Sequence, residues 1–270
     1  MNHNINKMKT KLWLLALPVV AFTLTSLHVP DVNKEFAEYV KLNDSLFAAK
    51  YEVTNMEYRE FLSSLKTIGN NDLYAVCLYD SAQWDKKFAY AYNEPMRANY
   101  HSHPAYDRYP VVNISQKAAE AYCKWLTERY NSRPKREFKA VTFRLPSEVE
   151  WKRLAAPLPG HNLPWYGDLP YTDPEGKAFL TNIKITSSIT GSTDYTSDGG
   201  FHTTICGHYK PNTLGIYDAI GNVAEMTREG MLKGGSWDNF LLECTTDQSQ
   251  SFTLPDPRVG FRVVMLVHEK

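Results

Sequence analysis

Few residues in this chain are suited to redox or covalent chemistry, and the cysteines come first. There are four, Cys77, Cys123, Cys206 and Cys244, and the last closes the stretch Lys233-Gly-Gly-Ser-Trp-Asp-Asn-Phe-Leu-Leu-Glu-Cys244. A thiol at the end of a glycine-rich turn reads in two ways. It is either what remains of a redox loop, where a thiolate acts as nucleophile or soft-metal ligand, or a buried or disulfide-bonded residue where a fold closes. Four cysteines pair in three ways, and the spacing does not choose among them. Among the eight histidines, His101 and His103 stand closest in sequence. Alternate residues of a strand share a face, so an H-x-H pair could chelate a metal, although a polar surface loop is its commoner use. The aromatic stretches Trp165–Tyr171 and Tyr90–Tyr106 could line a carbohydrate or peptide groove, or could pack the core beneath irregular loops. The sequons at Asn43 and Asn113 would matter only in a glycosylating pathway, and Ser115 of the second already serves as a helix cap.

Three capped helices are predicted to carry these residues. In TNMEYREFLSSL, Thr54 and Glu57 form a capping box, and Tyr58, Phe61, Leu62 and Leu65 share one face. In NISQKAAEAYCKWLTERY, Ser115 caps a helix with a stripe of Ala118, Tyr122, Trp125 and Arg129, beside which lies Cys123. In LPSEVEWKRLAA, Ser147 and Glu150 repeat the box and turn Trp151, Leu154 and Ala155 inward. Strands are predicted at LFAAKYEV, AVTFRL, MLKGG and VGFRVVMLV, the last as a central strand. From Pro157 to Thr213 the chain is rich in Gly, Pro, Asn, Asp and Ser. Such long irregular stretches need metal ions, disulfides or aromatic packing to hold them.

Composition bounds the partners. The chain has 270 residues, formal net charge zero and 43% hydrophobic residues, enough for a sizeable core. Zero net charge without a basic run argues against nucleic acid, which demands a cationic face. Lys7, Lys9 and Lys11 precede the apolar run LWLLALPVVAFTL, shorter than the roughly 20 residues of a spanning helix. Residues 1–30 are therefore expected to be a signal peptide or an uncleaved N-terminal anchor, with a secreted or periplasmic/cell-envelope location. Residues 31–270 are expected to form a single domain.

Five blocks in fixed order then carry a resemblance: YEVTNMEYREFL, PVVNISQKAAEAYCKWL, FRLPSEVEWKRLAA, NTLGIYDAIGNVAEMT, and KGGSW followed by VGFRVV. Together they resemble the formylglycine-generating enzyme, or sulfatase-modifying-factor domain, family. The resemblance implies an α+β, compact C-type-lectin-like fold with few regular elements and long irregular loops held by calcium. The family's enzymes carry two cysteines after the Gly-Gly-Ser turn that hold Cu(I), a soft ion suited to thiolates. Matched by position, the first falls on Asn239 and the second on Cys244, so half of the pair is missing and copper is not expected. The resemblance further implies one calcium set at Asn182, Ile183, Asp198 and Gly200 (or Phe201), and another at Gly221, Asn222, Val223 and Glu225. These are hard-oxygen donors, and also ordinary turn residues. The expected function is a catalytically degenerate, calcium-stabilised binding or scaffold module of the cell envelope, of the gliding or secretion machinery type, with an envelope protein as partner. The alternatives are an active oxygen-dependent oxidase that makes formylglycine with Cys244, and a lectin-like glycan-binding module.

Overall fold

The computed structural model describes residues 38–87, 95–165, 172, 178–186 and 191–269. The chain divides into compact units Met1–Asp31 and Val32–Lys270. The first unit, with its lysines and apolar run, lies outside the described residues.

In chain order the elements are β1 (Tyr39–Lys41), β2 (Leu46–Ala49), α1 (Asn55–Thr67), α2 (Asn71–Cys77), α3 (Gln83–Lys87), α4 (Pro95–Asn99), α5 (Gln116–Asn131), β3 (Ala140–Arg144), α6 (Glu148–Ala155), β4 (Ile185–Thr186), β5 (Thr193–Asp194), β6 (Ala224–Met226), β7 (Met231–Lys233), β8 (Gln250–Ser251), β9 (Val259–Gly260) and β10 (Val264–Glu269). One sheet has the order β1-β2-β10-β3, a second β8-β7-β6-β9, and β4 pairs with β5. This is the α+β architecture expected from the blocks. The C-terminal strand is central, between β2 and β3, but VGFRVVMLV is two strands because Phe261–Val263 leave the ladder.

The helices start where their caps dictate. Thr54 and Ser147 each make the full capping box, with Glu57 and Glu150 reaching back, and Ser115 Oγ accepts the Ala118 amide. Arg144 grips Glu150 through two 2.7 Å bonds, and that pairing above all, with the cap amide of Ser147, holds the Glu150 carboxyl down at about 2 against its burial. The expected stripe of α5 is rotated. Ala119, Tyr122, Cys123, Leu126 and Tyr130 are buried, whereas Trp125 is half-buried under the Arg129 guanidinium, itself paired with Glu60 at 2.6 Å.

Pleat alternation sorts the first sheet between two cores. Phe47, Val141, Phe143, Met265 and Val267 face the cluster holding Tyr58, Phe61 and Tyr122 of α1 and α5. Leu46, Ala48 and Val264 face the cluster of Trp151 and Leu154 from α6. The free edge of β3 is closed by side chains of α5: Asn131 exchanges bonds of 2.8 and 3.1 Å with the Val141 carbonyl and amide, and Thr127 Oγ1 accepts the Phe143 amide at 2.8 Å. A helix thus supplies what a further strand would, which blocks edge-to-edge association. Asn131→Ala is expected to cost about 1–2 kcal/mol, since a half-exposed edge regains some water. Urea unfolding with an unchanged midpoint would refute this capping role.

Candidate functional site

The loop from Lys233 to Cys244 is built around two glycines. Gly234 and Gly235 have φ of +84° and +65°, a region L side chains rarely adopt. A Cβ on Gly234 would also meet the Trp151 ring, and one on Gly235 would run into Cys244 Sγ. Asn239 then closes the turn: its Oδ1 accepts from Ser236 N at 3.1 Å and Ser236 Oγ at 2.7 Å, while its carbonyl takes the Lys184 amide at 2.9 Å. The residue in place of the first family cysteine thus has its own task, capping a turn. Cys244 Sγ stands 3.9 Å from the Asn239 carbonyl, so the two matched positions do meet. The thiol is fully buried, and that burial pushes it up to about 12, leaving almost no thiolate at neutral pH.

Asp238 anchors the outside of this loop. Its carboxylate takes Lys87, Lys184 at 3.3 Å, Arg258 at 3.3 Å and the Tyr195 hydroxyl at 3.0 Å, drawing together four separate segments. Burial works against the charge, but those partners hold the carboxyl below its usual range. Lys87 also lies over the Trp237 ring and Lys184 over those of Tyr195 and Phe240.

The two expected calcium sets prove to be neighbours. Asn222 donates its amide to the Asn182 carbonyl at 2.9 Å, and Gly221 packs so tightly on that carbonyl that a Cβ would collide with it. In the first set, Asp198 accepts from Ile183 N at 2.8 Å and from Gly200 N at 3.1 Å, and Asn182 Nδ2 donates to the His202 carbonyl at 2.8 Å. Among the described residues the Asp198 carboxylate takes two backbone amides and no cationic side chain. Burial pushes it up to about 6 despite those amides. A buried carboxylate with no cationic side chain on it is the kind of hard-oxygen donor that suits calcium. The second set does not fit. Both Glu225 oxygens are taken, by Arg262 and by Trp151 Nε1 at 2.8 Å. Asn222 Oδ1 accepts the Thr204 amide at 2.8 Å and its Nδ2 donates to Glu52 at 2.8 Å. Glu225 is instead paired with the Arg262 guanidinium, which already supplies the positive charge.

Other expectations separate as well. The four cysteines are free and buried, and none pairs. Burial pushes Cys77 up to about 11 and raises Cys123 and Cys206. His101 and His103 share no face: His101 is buried with Nε2 on the Val112 carbonyl at 3.0 Å, and His103 is exposed and accepts the Ala105 amide. Tyr100, Tyr106 and Tyr109 pack on one another in the core, and Asn113 of the second sequon is fully buried. Residues 166–171 and 90–94 of the aromatic stretches lie outside the described residues. Glu52, Asp218 and Arg262, the polar centre of the fold, were not singled out from the sequence. Their signal was a charged residue inside an apolar run, Arg262 in VGFRVV and Glu52 in YEVT.

The model described as "Sulfatase-modifying factor enzyme 1-like domain" matches residues 21–267. Among curated proteins, the formylglycine-generating enzyme of Bos taurus is 24% identical over 205 residues, 69% of this chain and 49% of that one. The Mus musculus enzyme is 25% identical over 207 residues, at the same 69% and 49%. The "Inactive C-alpha-formylglycine-generating enzyme 2" of Bos taurus is 27% identical over 173 residues, covering 57% and 49%. The matched part is about half the length of these relatives. Of solved structures, PvdO from Pseudomonas aeruginosa superposes with a TM-score of 0.54 at 18% identity, over 82% of this chain and 80% of that one. CarF gives 0.51 at 18%, over 82% and 86%. With the fold-closing turn, the capped helices and the match over nearly the whole chain, this protein belongs to the sulfatase-modifying factor enzyme 1-like domain family.

Proposed function

We propose that this protein is a catalytically degenerate member of its family, a calcium-stabilised binding or scaffold module of the cell envelope that works on a protein partner. The observation that carries the reading is the pair of positions 239 and 244. Asn239 spends its side chain on the Ser236 turn, and Cys244 is sealed against Gly235 with its thiol pushed up to about 12 by burial. An amide cannot become a thiolate, so two-sulfur copper ligation has no second sulfur. A relative whose name describes it as inactive matches the chain at 27% identity. The side chains of Asn182 and Asp198, with the carbonyls of Ile183 and Gly200, would hold the calcium ion, which would cross-link irregular chain that has few ladders of its own. The envelope location rests on the sequence pattern of Lys7, Lys9 and Lys11 before an apolar run.

Four measurements test this reading. Native protein treated with a thiol reagent near neutral pH is expected to show no reactive cysteine until it is denatured; rapid native labelling of Cys244 would contradict the sealed-thiol assignment. With Cu(I), oxygen and a sulfatase-motif peptide, mass spectrometry is expected to show no aldehyde. Robust turnover lost in Cys244→Ala would establish the oxidase instead, and calcium-dependent signal on a glycan array would favour the lectin-like module. Saturating calcium is expected to stabilise the fold by about 2–3 kcal/mol when free ion exceeds Kd a hundredfold. An unchanged melting temperature with chelator, or the same calcium response in Asp198→Ala, would remove the first calcium set.

A further inference from the structure

The outer face of the closing turn carries aromatic rings interleaved with positive charge. Phe201 and Phe240 are 53% and 39% exposed. Tyr195 links them: its ring centroid is 6.1 Å from that of Phe201, and the Lys184 ammonium sits 5.8 Å over the Tyr195 ring and 5.0 Å over that of Phe240. Lys87 lies 5.5 Å over the Trp237 ring, whose centroid is 6.4 Å from that of Tyr195. A single exposed ring needs no explanation, but rings joined by ring and cation contacts form one patch.

Charge decides what such a patch accepts. Lys87, Lys184 and Arg258 all turn to the single buried Asp238 carboxylate, both of whose oxygens are occupied. Asp256 offsets a second charge through two bonds to Arg258, at 2.8 and 2.7 Å. Three cations thus share two carboxylates, which leaves the excess positive. Neighbouring acids are committed to their own turns, Asp194 to Thr196 and Ser197 and Glu243 to the Phe240 amide at 2.8 Å. An ammonium has three donors, and among the described residues the only acid that Lys87 and Lys184 meet is Asp238. Donors therefore remain for an incoming acceptor, on side chains that Asp238 and the rings have already ordered, so that binding costs them little entropy.

We propose that this face is the docking surface for the protein partner, and that it takes an acidic peptide segment in which Asp or Glu stands beside an aromatic or aliphatic side chain. The inference rests on the binding-module reading above and specifies the chemistry of what that module binds. Carboxylates of the segment meet Lys87, Lys184 and Arg258, while its apolar side chains lie on Tyr195, Phe201 and Phe240. Aromatic residues and Arg are the residue types enriched where proteins meet, the rings supplying most of the affinity and the charges the orientation. An anionic membrane is the poorer match, because its recognition uses clusters of about 4–8 basic residues and here most of the charge is already offset.

The test is selection of a phage-displayed random peptide library on the full chain, followed by affinity measurements with the selected peptides made synthetically. Selected sequences are expected to be enriched in Asp and Glu beside apolar residues, and their binding to weaken as salt rises. Lys184→Gln is expected to weaken binding about two- to fivefold, and Phe240→Ala by at least about fivefold. Phe240→Ala removes an exposed ring and leaves every charge in place, so it tests the surface even if Lys184→Gln fails to fold. A selection that returns no peptide or only basic ones would overturn the proposal, as would binding confined to phosphatidylserine vesicles. Acidic peptides whose affinity ignores both variants would also overturn it while leaving the binding-module reading standing. That reading falls separately, on formylglycine formation in the copper assay, which none of these peptides enters.

Discussion

The fold depends on a guanidinium buried where its chain leaves the sheet. Arg262 sits between β9 and β10, and its five donors reach β2, β6 and the segment at Tyr217 at once. Glu225 answers from β6 and also receives Trp151 from α6, so one ion pair joins the two four-stranded sheets and the helix packed between them and the closing turn. Removing one partner of such a pair leaves an unpaired buried charge, which costs about 3–5 kcal/mol. Much of the surrounding chain is irregular, so these side-chain bonds do what ladders do elsewhere.

The closing turn follows from the same packing. Gly234 can lie on Trp151 only because it has no Cβ, and Trp151 is held in place by Glu225. Gly235 presses on Cys244 for the same reason, which keeps the thiol out of water and in its neutral form. The turn is locked inside by Asn239, which accepts from Ser236, and outside by Asp238, which gathers Lys87, Lys184, Arg258 and Tyr195.

The sequence was most legible where the physics is local. Thr54, Ser115 and Ser147 fixed three helix starts because a cap satisfies amides within three residues of itself. The order of the five blocks was enough for the family. The α5 stripe was legible only roughly, because Trp125 and Arg129 stack on each other and with Glu60 instead of entering the core. Asn239 was expected at the place of a family cysteine, and its task of capping Ser236 was hidden until the turn was seen.

By itself, then, the amino-acid sequence determined the helix caps and the strand candidates, which rest on neighbours along the chain, whereas the need for glycine at 234 and 235 comes from Trp151 and Cys244 packed against them. Tertiary structure decided which charges meet. Glu225 stood among calcium donors in the linear reading, and only folding put it against Arg262, 37 residues away in sequence. Likewise Glu52 and Asp218 are buried only by the folded chain, and the Asp198 carboxylate takes two backbone amides and no cationic side chain among the described residues. A carboxylate's role depends on burial and on the nearest opposite charge, and both are properties of the folded chain.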